Sequence, residues 1–174
     1  METGITALDA AGVRARMREL ADILADCVDD GASVGFLPPL APAEATAYWG
    51  SVADAVAGGS RIVLIAGAPA DGTVQLDLST RANGLHRAEV VRLLVHRRAR
   101  RRGLGRALMH AIEAEARRRR RTTLVLDTRQ DDPSEILYRS LGWQLAGVIP
   151  RYARSASGAL DGSAFYYKLL DDPR

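Results

Sequence analysis

Cysteine is almost missing from this chain: Cys27 stands alone among 174 residues. A single thiol excludes an intramolecular disulfide and a cysteine-rich metal site, and it favours a reducing cytoplasm. Set among helix-patterned residues, Cys27 reads as a buried, inert thiol. Histidine is scarce as well. His86, His96 and His110 are isolated, without the Asp, Glu or His spacing of a ligand set, so no metal site is expected. No apolar run approaches the roughly 20 residues of a membrane span. Met1–Ala10 has neither the basic residues nor the apolar stretch of a secretion signal. The expectation is a soluble, cytoplasmic protein with no membrane partner. Aromatics make up only 5%, and Trp49, Trp143, Tyr166 and Tyr167 read as packing residues rather than stacking platforms.

What is present fits one domain spanning residues 1–174, since 47% hydrophobic residues can build a core without cross-links. The net charge is only +3, but its distribution is uneven. Arg97–Arg102 holds five arginines around Ala99, and Arg117–Arg121 is five in a row. A basic cluster can serve nucleic acid, a membrane surface or a small polyanion, and its surroundings decide which. The second run ends a helical pattern, where cations suit the dipole, and reads as a solvated helix end rather than a nucleic-acid patch.

Hydrophobic spacing predicts a helix over Asp9–Asp29, with Val13, Met17, Leu20, Ile23, Leu24 and Cys27 on one face. Gly31–Leu40, with two prolines, reads as a loop, and Pro42–Val56 as a second helix. Arg61–Ala66 and Thr73–Ser79 then form a hairpin, followed by a turn at Asn83-Gly84. His86–His96 is a Val- and Leu-rich strand. A helix over Gly103–Arg120 follows it, then a strand at Thr122–Asp127 and a short helix at Pro133–Leu141. Strands at Trp143–Ile149 and Ser163–Leu169 close the pattern. The fold class is mixed α/β with a mainly antiparallel sheet, and one β–α–β crossover runs from Val90 to Asp127.

Between strand and helix in that crossover lies Arg100-Arg101-Arg102-Gly103-Leu104-Gly105-Arg106. A helix N-terminus offers unpaired N–H groups and a positive dipole end. Glycines let backbone approach a ligand closely, and arginines bind phosphate oxygens, often bidentately. The combination makes a pyrophosphate cradle. It is neither the G-x-G-x-x-G dinucleotide turn, because position 108 is leucine, nor a G-x-x-x-x-G-K-[ST] phosphate loop.

The hexapeptide Arg100–Gly105 resembles the R-x-x-G-x-G/A signature of the GNAT superfamily of acyl-CoA-dependent N-acyltransferases. Glu89–Val95 resembles that superfamily's fourth strand and Leu124–Asp127 its fifth. Asp131–Trp143 resembles its N-x-x-A-x-x-L-Y-x-x-L-G-F segment, with Asp131 for Asn, Ser134 for Ala and Trp143 for Phe. The likeness covers roughly residues 60–170. A nearly full-length likeness to tabtoxin-resistance acetyltransferases rests on Gly31–Phe36, Asn83–Val90 and the Arg–Gly turn.

The resemblance implies about six to seven strands, splayed between the fourth and fifth, flanked by about four helices. It implies acetyl-CoA as co-substrate and no metal. The pantetheine arm would meet Leu93, Leu94 and Val95, usually at a β-bulge. The pyrophosphate would rest on the backbone of Arg102, Gly103, Leu104, Gly105, Arg106 and Ala107. Arginines of the 97–102 run, Arg100 and Arg101 included, would reach the 3′-phosphate, and Asp131 and Ser134 would flank the cofactor. Glu89 and Asp127 would share a cleft and act on the amine, and Tyr138 would donate a proton to the leaving sulfur. By strand alternation Glu89 shares a face with Val91, Leu93 and Val95, unless a bulge intervenes.

The alternatives are plainer: a surface ion pair of Glu89 with Arg87 or Arg92, a loop cap for Asp127 and a core position for Tyr138. The expected substrate is a small toxin or antibiotic amine such as a β-lactam dipeptide, with no nucleic-acid partner, in a monomer or homodimer. Acetylation of a protein N-terminus or lysine is the second enzymatic reading. A non-catalytic CoA- or nucleic-acid-binding module is the reading from another class.

Overall fold

A computed structural model describes residues 4–170. Its strands are β1 (Ile5–Leu8), β2 (Arg61–Ala66), β3 (Gly72–Leu78), β4 (Arg87–Val95), β5 (Thr123–Arg129), β6 (Gln144–Arg154) and β7 (Leu160–Leu169). Its α-helices are α1 (Ala10–Ala15), α2 (Met17–Asp29), α3 (Pro42–Ala57), α4 (Leu104–Arg118) and α5 (Ser134–Ser140). The strands form one sheet in the order β1-β2-β3-β4-β5-β7-β6. Only β4 and β5 run parallel, joined by the crossover through α4. This is the GNAT-type arrangement that the sequence led us to expect.

Helices cover both faces of the sheet. Leu104, Leu108, Met109, Ile112 and Ala116 of α4 recur at helical spacing and pack on Leu64, Leu76, Val90, Leu124 and Leu126. On the other face α1–α3 pack Val13, Leu20, Leu24, Trp49 and Val52 against Val63, Ile65 and Leu94. Each such fully buried side chain contributes about 1.5–3 kcal/mol. Cys27 is buried in this second layer, as its helix pattern implied.

Three elements differ from the sequence reading. The helix expected over Asp9–Asp29 breaks at Arg16 (φ −103°, ψ 16°), giving five α-helices rather than about four. At the break the Arg16 guanidinium binds the Gly67 carbonyl at 3.3 Å and the Glu19 carboxylate at 2.7 Å, tying the joint to the β2–β3 turn. β1 is too short to carry a period; its pairing with β2 defines it. β6 runs past Pro150 to Arg154, which an edge strand tolerates because its outer N–H groups need no partner.

Candidate functional site

The site begins where β4 and β5 stop pairing. Arg87, Ala88 and Glu89 pair with Thr123, Leu124 and Val125, and the ladder ends there. From Val90 to Val95, β4 keeps β3 as a neighbour but has no β5 partner. β5 continues to Arg129 paired only with β7. The two strands therefore part, and the β5-side edge of β4 over Leu93, Leu94 and Val95 borders a gap.

A β-bulge sharpens the opening. Between the pairs Thr73–Leu94 and Gln75–Val91, β4 carries one residue more than β3, and Arg92 sits there at φ +54°. The extra residue flips the alternation. Ala88 and Val90 face the α4 layer, as do Leu93 and Val95, whereas Leu94 faces the α2–α3 layer. Glu89 therefore shares its face with Val91 and Leu94, and the expected alignment with Leu93 and Val95 does not hold.

Two connected hollows occupy the gap. The smaller, about 170 Å³, is lined by Glu89, Arg92, Asp127, Ser134 and Tyr138, with Ala32, Ser33 and Val34 as a wall. The larger, about 450 Å³, is lined by Leu93, Leu94, Val95, Arg100, Gly105 and Leu137. Ala32, Leu93, Asp132 and Ser134 border both, so the groove leads from the α4 end into the acidic cleft.

Glu89 and Asp127 thus come together from adjacent strands, as do Tyr138 and Ser134 from α5. Burial pushes the Glu89 carboxyl above its ordinary value, and the negative charges of Asp127 and Asp77 add to the rise. Glu89 makes no ion pair with Arg87 or Arg92. Asp127 accepts a 2.7 Å hydrogen bond from the Ser163 hydroxyl. The Tyr138 ring is buried against Trp143 and Tyr166, with centroids 6.3 and 6.2 Å away. Its burial, with Asp132 and Asp127 adding, drives the phenol well above its usual value, so it holds its proton at neutral pH.

At the other end of the groove, Gly103 caps α4 in the left-handed conformation (φ +79°) and no side chain caps the helix. The first-turn N–H groups of Leu104, Gly105 and Arg106 have no intrahelical acceptor. That of Ala107 is already bonded to the Gly103 carbonyl at 3.0 Å, so the donor set ends one residue earlier than expected. A Cβ on Gly105 would lie 3.5 Å from Leu137, in ordinary contact.

The arginine run is divided. The Arg97 amide and Nε donate to Asp26, Arg98 binds Asp71 at 2.8 Å, and Arg100 pairs with Asp30 while donating to the Val95 carbonyl at 2.9 Å. His96 lies 3.4 and 3.5 Å from Asp22 and Asp26 of α2. Arg106 binds the Ser140 hydroxyl at 2.7 Å. Arg101 and Arg102 are exposed and have no acidic partner among the described residues. Three of the arginines expected at a phosphate are thus held by carboxylates, which leaves Arg101 and Arg102 for an anion.

Asp131 lies outside both hollows, in a left-handed turn (φ +63°) with its amide on Glu135. Its neighbour Asp132 borders them instead and accepts the Ser134 amide at 2.9 Å. The D-x-x-E spacing of Asp132 and Glu135, a helix-start signature, is the signal that could have pointed to it. The Gly31–Val34 wall, part of the Gly31–Phe36 stretch that carries the likeness, also lines the gap, as do Cys27 and Arg129, which were not expected there. Their signal is tertiary only.

Comparison with known proteins decides the family: the sequence model of the acetyltransferase (GNAT) family matches residues 18–143. The chain belongs to that family. Its matched span holds Glu89, the Arg–Gly turn, Asp127 and Tyr138. Solved structures of similar shape include the ribosomal-protein-alanine N-acetyltransferase of Brucella melitensis, at 23% identity and TM-score 0.78, covering 96% of this chain and 99% of that one. The YncA acetyltransferase of Salmonella typhimurium, solved with acetyl-CoA, has 20% identity and TM-score 0.78 over 100% and 97%. The phosphinothricin acetyltransferase of Sinorhizobium meliloti, also with acetyl-CoA, has 19% identity and TM-score 0.79 over 98% and 89%. This GNAT protein is an acetyl-CoA-dependent N-acetyltransferase with a seven-stranded sheet. Among the described residues no helix is long and apolar enough to cross a membrane, and no group of three or more His, Cys, Asp or Glu could hold a metal ion.

Proposed function

We propose that the 1–174 chain is a single catalytic domain that acetylates the amine of a small toxin or antibiotic in the cytoplasm. The observation carrying this reading is the meeting of Glu89, Asp127 and Tyr138 in one cleft at the end of the groove that starts at Gly105. The groove fits acetyl-CoA in its chemistry. Free amides at the start of α4, unpaired Arg101 and Arg102 and the open edge of β4 offer donors for phosphates and an amide-bearing arm. Acetyl-CoA supplies an activated acyl group as a thioester.

Glu89 and Asp127 hold the cationic amine, and Glu89 takes one proton before attack, freeing the nitrogen lone pair. As the C–N bond forms and the C–S bond breaks, the nitrogen loses its second proton to water, balancing the one the departing sulfur gains. The raised affinity of Glu89 for a proton suits a base working near neutrality. Backbone N–H groups of β4 hold the thioester oxygen, and Tyr138 gives its proton to the departing sulfur. Aligning both partners in the cleft contributes most, roughly 7–11 kcal/mol where the geometry is reactive.

The loop wall at Ala32–Val34 narrows the cleft, which favours a small acceptor over a protein chain. A β-lactam dipeptide is the first candidate, from the likeness to tabtoxin-resistance acetyltransferases in Gly31–Phe36 and Asn83–Val90. The test is a thiol-release screen with acetyl-CoA over β-lactam dipeptides, streptothricin-like amines, amino acids and peptides. Turnover with small amines supports the reading. Turnover confined to protein N-termini or lysine side chains of polypeptides would replace it with protein acetylation.

A further inference from the structure

Arg92 is the charged residue of the cleft that acetyl transfer leaves without a task. It sits at the β4 bulge with φ +54°, in the left-handed region that side-chain-bearing residues rarely adopt. Its guanidinium carbon lies 6.0 Å from the Phe36 ring centroid and 5.6 Å from that of Tyr48. These rings position it through cation–π attraction but accept no ordinary hydrogen bond. Its Nε is buried without any partner, and no carboxylate lies within ion-pairing distance among the described residues. Arg97, Arg98, Arg100, Arg106 and Arg129 each have an oxygen partner, and Arg92 does not.

The loop is shaped around this group. Gly35 holds a left-handed conformation (φ +84°) beside it, and a Cβ there would stand 3.0 Å from an Arg92 Nη. Arg92 borders the hollow shared by Glu89, Asp127 and Asp132. A cleft dominated by carboxylates therefore contains one half-buried cation with an unfilled donor fork. Burying such donors is costly unless an acceptor arrives, and a planar carboxylate matches the fork bidentately.

We infer that the acceptor is a zwitterion, an amino acid or short peptide whose carboxylate is bound by Arg92 while its amine is held by Glu89 and Asp127. This rests on the acetyl-transfer reading and names the substrate class within it. The two ends of the cleft sort the two ends of the molecule, so the carboxylate contact orients the amine towards the thioester.

The test measures thiol release from acetyl-CoA with matched acceptors: L-methionine against 3-(methylthio)propylamine, L-phenylalanine against 2-phenylethylamine, and L-alanyl-L-serine against its C-terminal amide. The carboxylate-bearing partner is expected to have the higher kcat/KM by about 10- to 100-fold, the worth of a charge-assisted hydrogen-bonded contact. Arg92→Gln removes that preference, bringing the two members of each matched pair to similar kcat/KM. Arg92→Lys, which keeps the charge but loses the fork, retains part of it. The comparison on the native enzyme needs no variant, so a variant that fails to fold leaves the test intact. Equal turnover within the pairs, a preference surviving in Arg92→Gln, or no turnover of any carboxylate-bearing member overturns the inference. If acetyl-CoA still binds by calorimetry and the decarboxylated amines turn over, acetyl transfer stands and only the zwitterion falls. If acetyl-CoA does not bind, both fall.

Discussion

Glu89 and Asp127 share a cleft but do not play equal parts. Glu89 is the one that burial, Asp127 and Asp77 push towards the protonated form. A base in that state loses activity in acid, so kcat/KM should fall below a pH set above the range of an ordinary glutamate, about 4.3. Glu89→Gln should lower turnover about 10²–10⁴-fold and erase that limb while leaving the acetyl-CoA Kd unchanged. Asp127→Asn removes one of the charges holding Glu89 up, so its acid limb should move to lower pH. pH–rate profiles of the two variants check this, and unchanged turnover in both would remove them from the mechanism. The candidate pair was readable from sequence because each carboxylate stands at a fixed place on a strand. Arg92 was not, since only the bulge and the Phe36 and Tyr48 rings give it its environment.

At the scale of elements, the start of α4 depends on two glycines for different reasons. Nothing lies within 4 Å of a Cβ at Gly103, whose left-handed φ is the constraint. Gly105 faces the groove beside Leu137. Gly105→Val should therefore fold but weaken acetyl-CoA binding more than about 10-fold, by filling the approach to the helix amides. Gly103→Val should weaken it too, whereas Gly103→Asn should keep most of the affinity, because asparagine tolerates that conformation. Calorimetry with acetyl-CoA measures all three.

The α2 helix adds a second constraint that the hydrophobic period concealed. Asp22, Asp26 and Asp30 recur every fourth residue and face the arginine run. Burial raises the Asp26 carboxyl, but the Arg97 amide and side chain outweigh this and hold it below its ordinary value. Asp26→Asn should loosen the loop before Gly103, lowering the melting temperature only slightly because Arg97 is itself exposed, and should raise the KM for acetyl-CoA. A thermal melt and a KM measurement test it together. Motif reading assigned these arginines to phosphate because charge alone does not reveal which carboxylate reaches them first.

Over the whole molecule, most of the architecture follows from periodicity: α3, α4, β2, β3 and both strands of the crossover lie close to where their apolar spacing puts them. The break at Arg16, the short β1 and the long β6 do not, because pairing partners and a tertiary ion pair set their limits. The closing strands are locked by a buried polar link. Glu113 of α4, 2% exposed, accepts the Trp143 indole N–H at 3.0 Å and the Lys168 ammonium at 2.7 Å. Glu113→Ala would leave Lys168 unpaired at low exposure, at a cost of about 3–5 kcal/mol, read as a lower denaturation midpoint. Stability should also decline in acid. The lowered Glu19, Asp26 and Glu115 carboxyls contribute above their unfolded-state values and lose that contribution as pH drops through their folded ones. Glu89 has the opposite sign, favouring the fold most when protonated.

The parting of β4 and β5 after three rungs has one last consequence. An aperture made by main chain belongs to no single codon, so it can persist while the amino acids around it are exchanged. Donor-side recognition relies on peptide groups and is conservative by construction. The proposed selectivity for the incoming nucleophile rests instead on side chains, Arg92 with Phe36 and Tyr48 beside it, and these can be exchanged without altering the strand pairing that opens the gap.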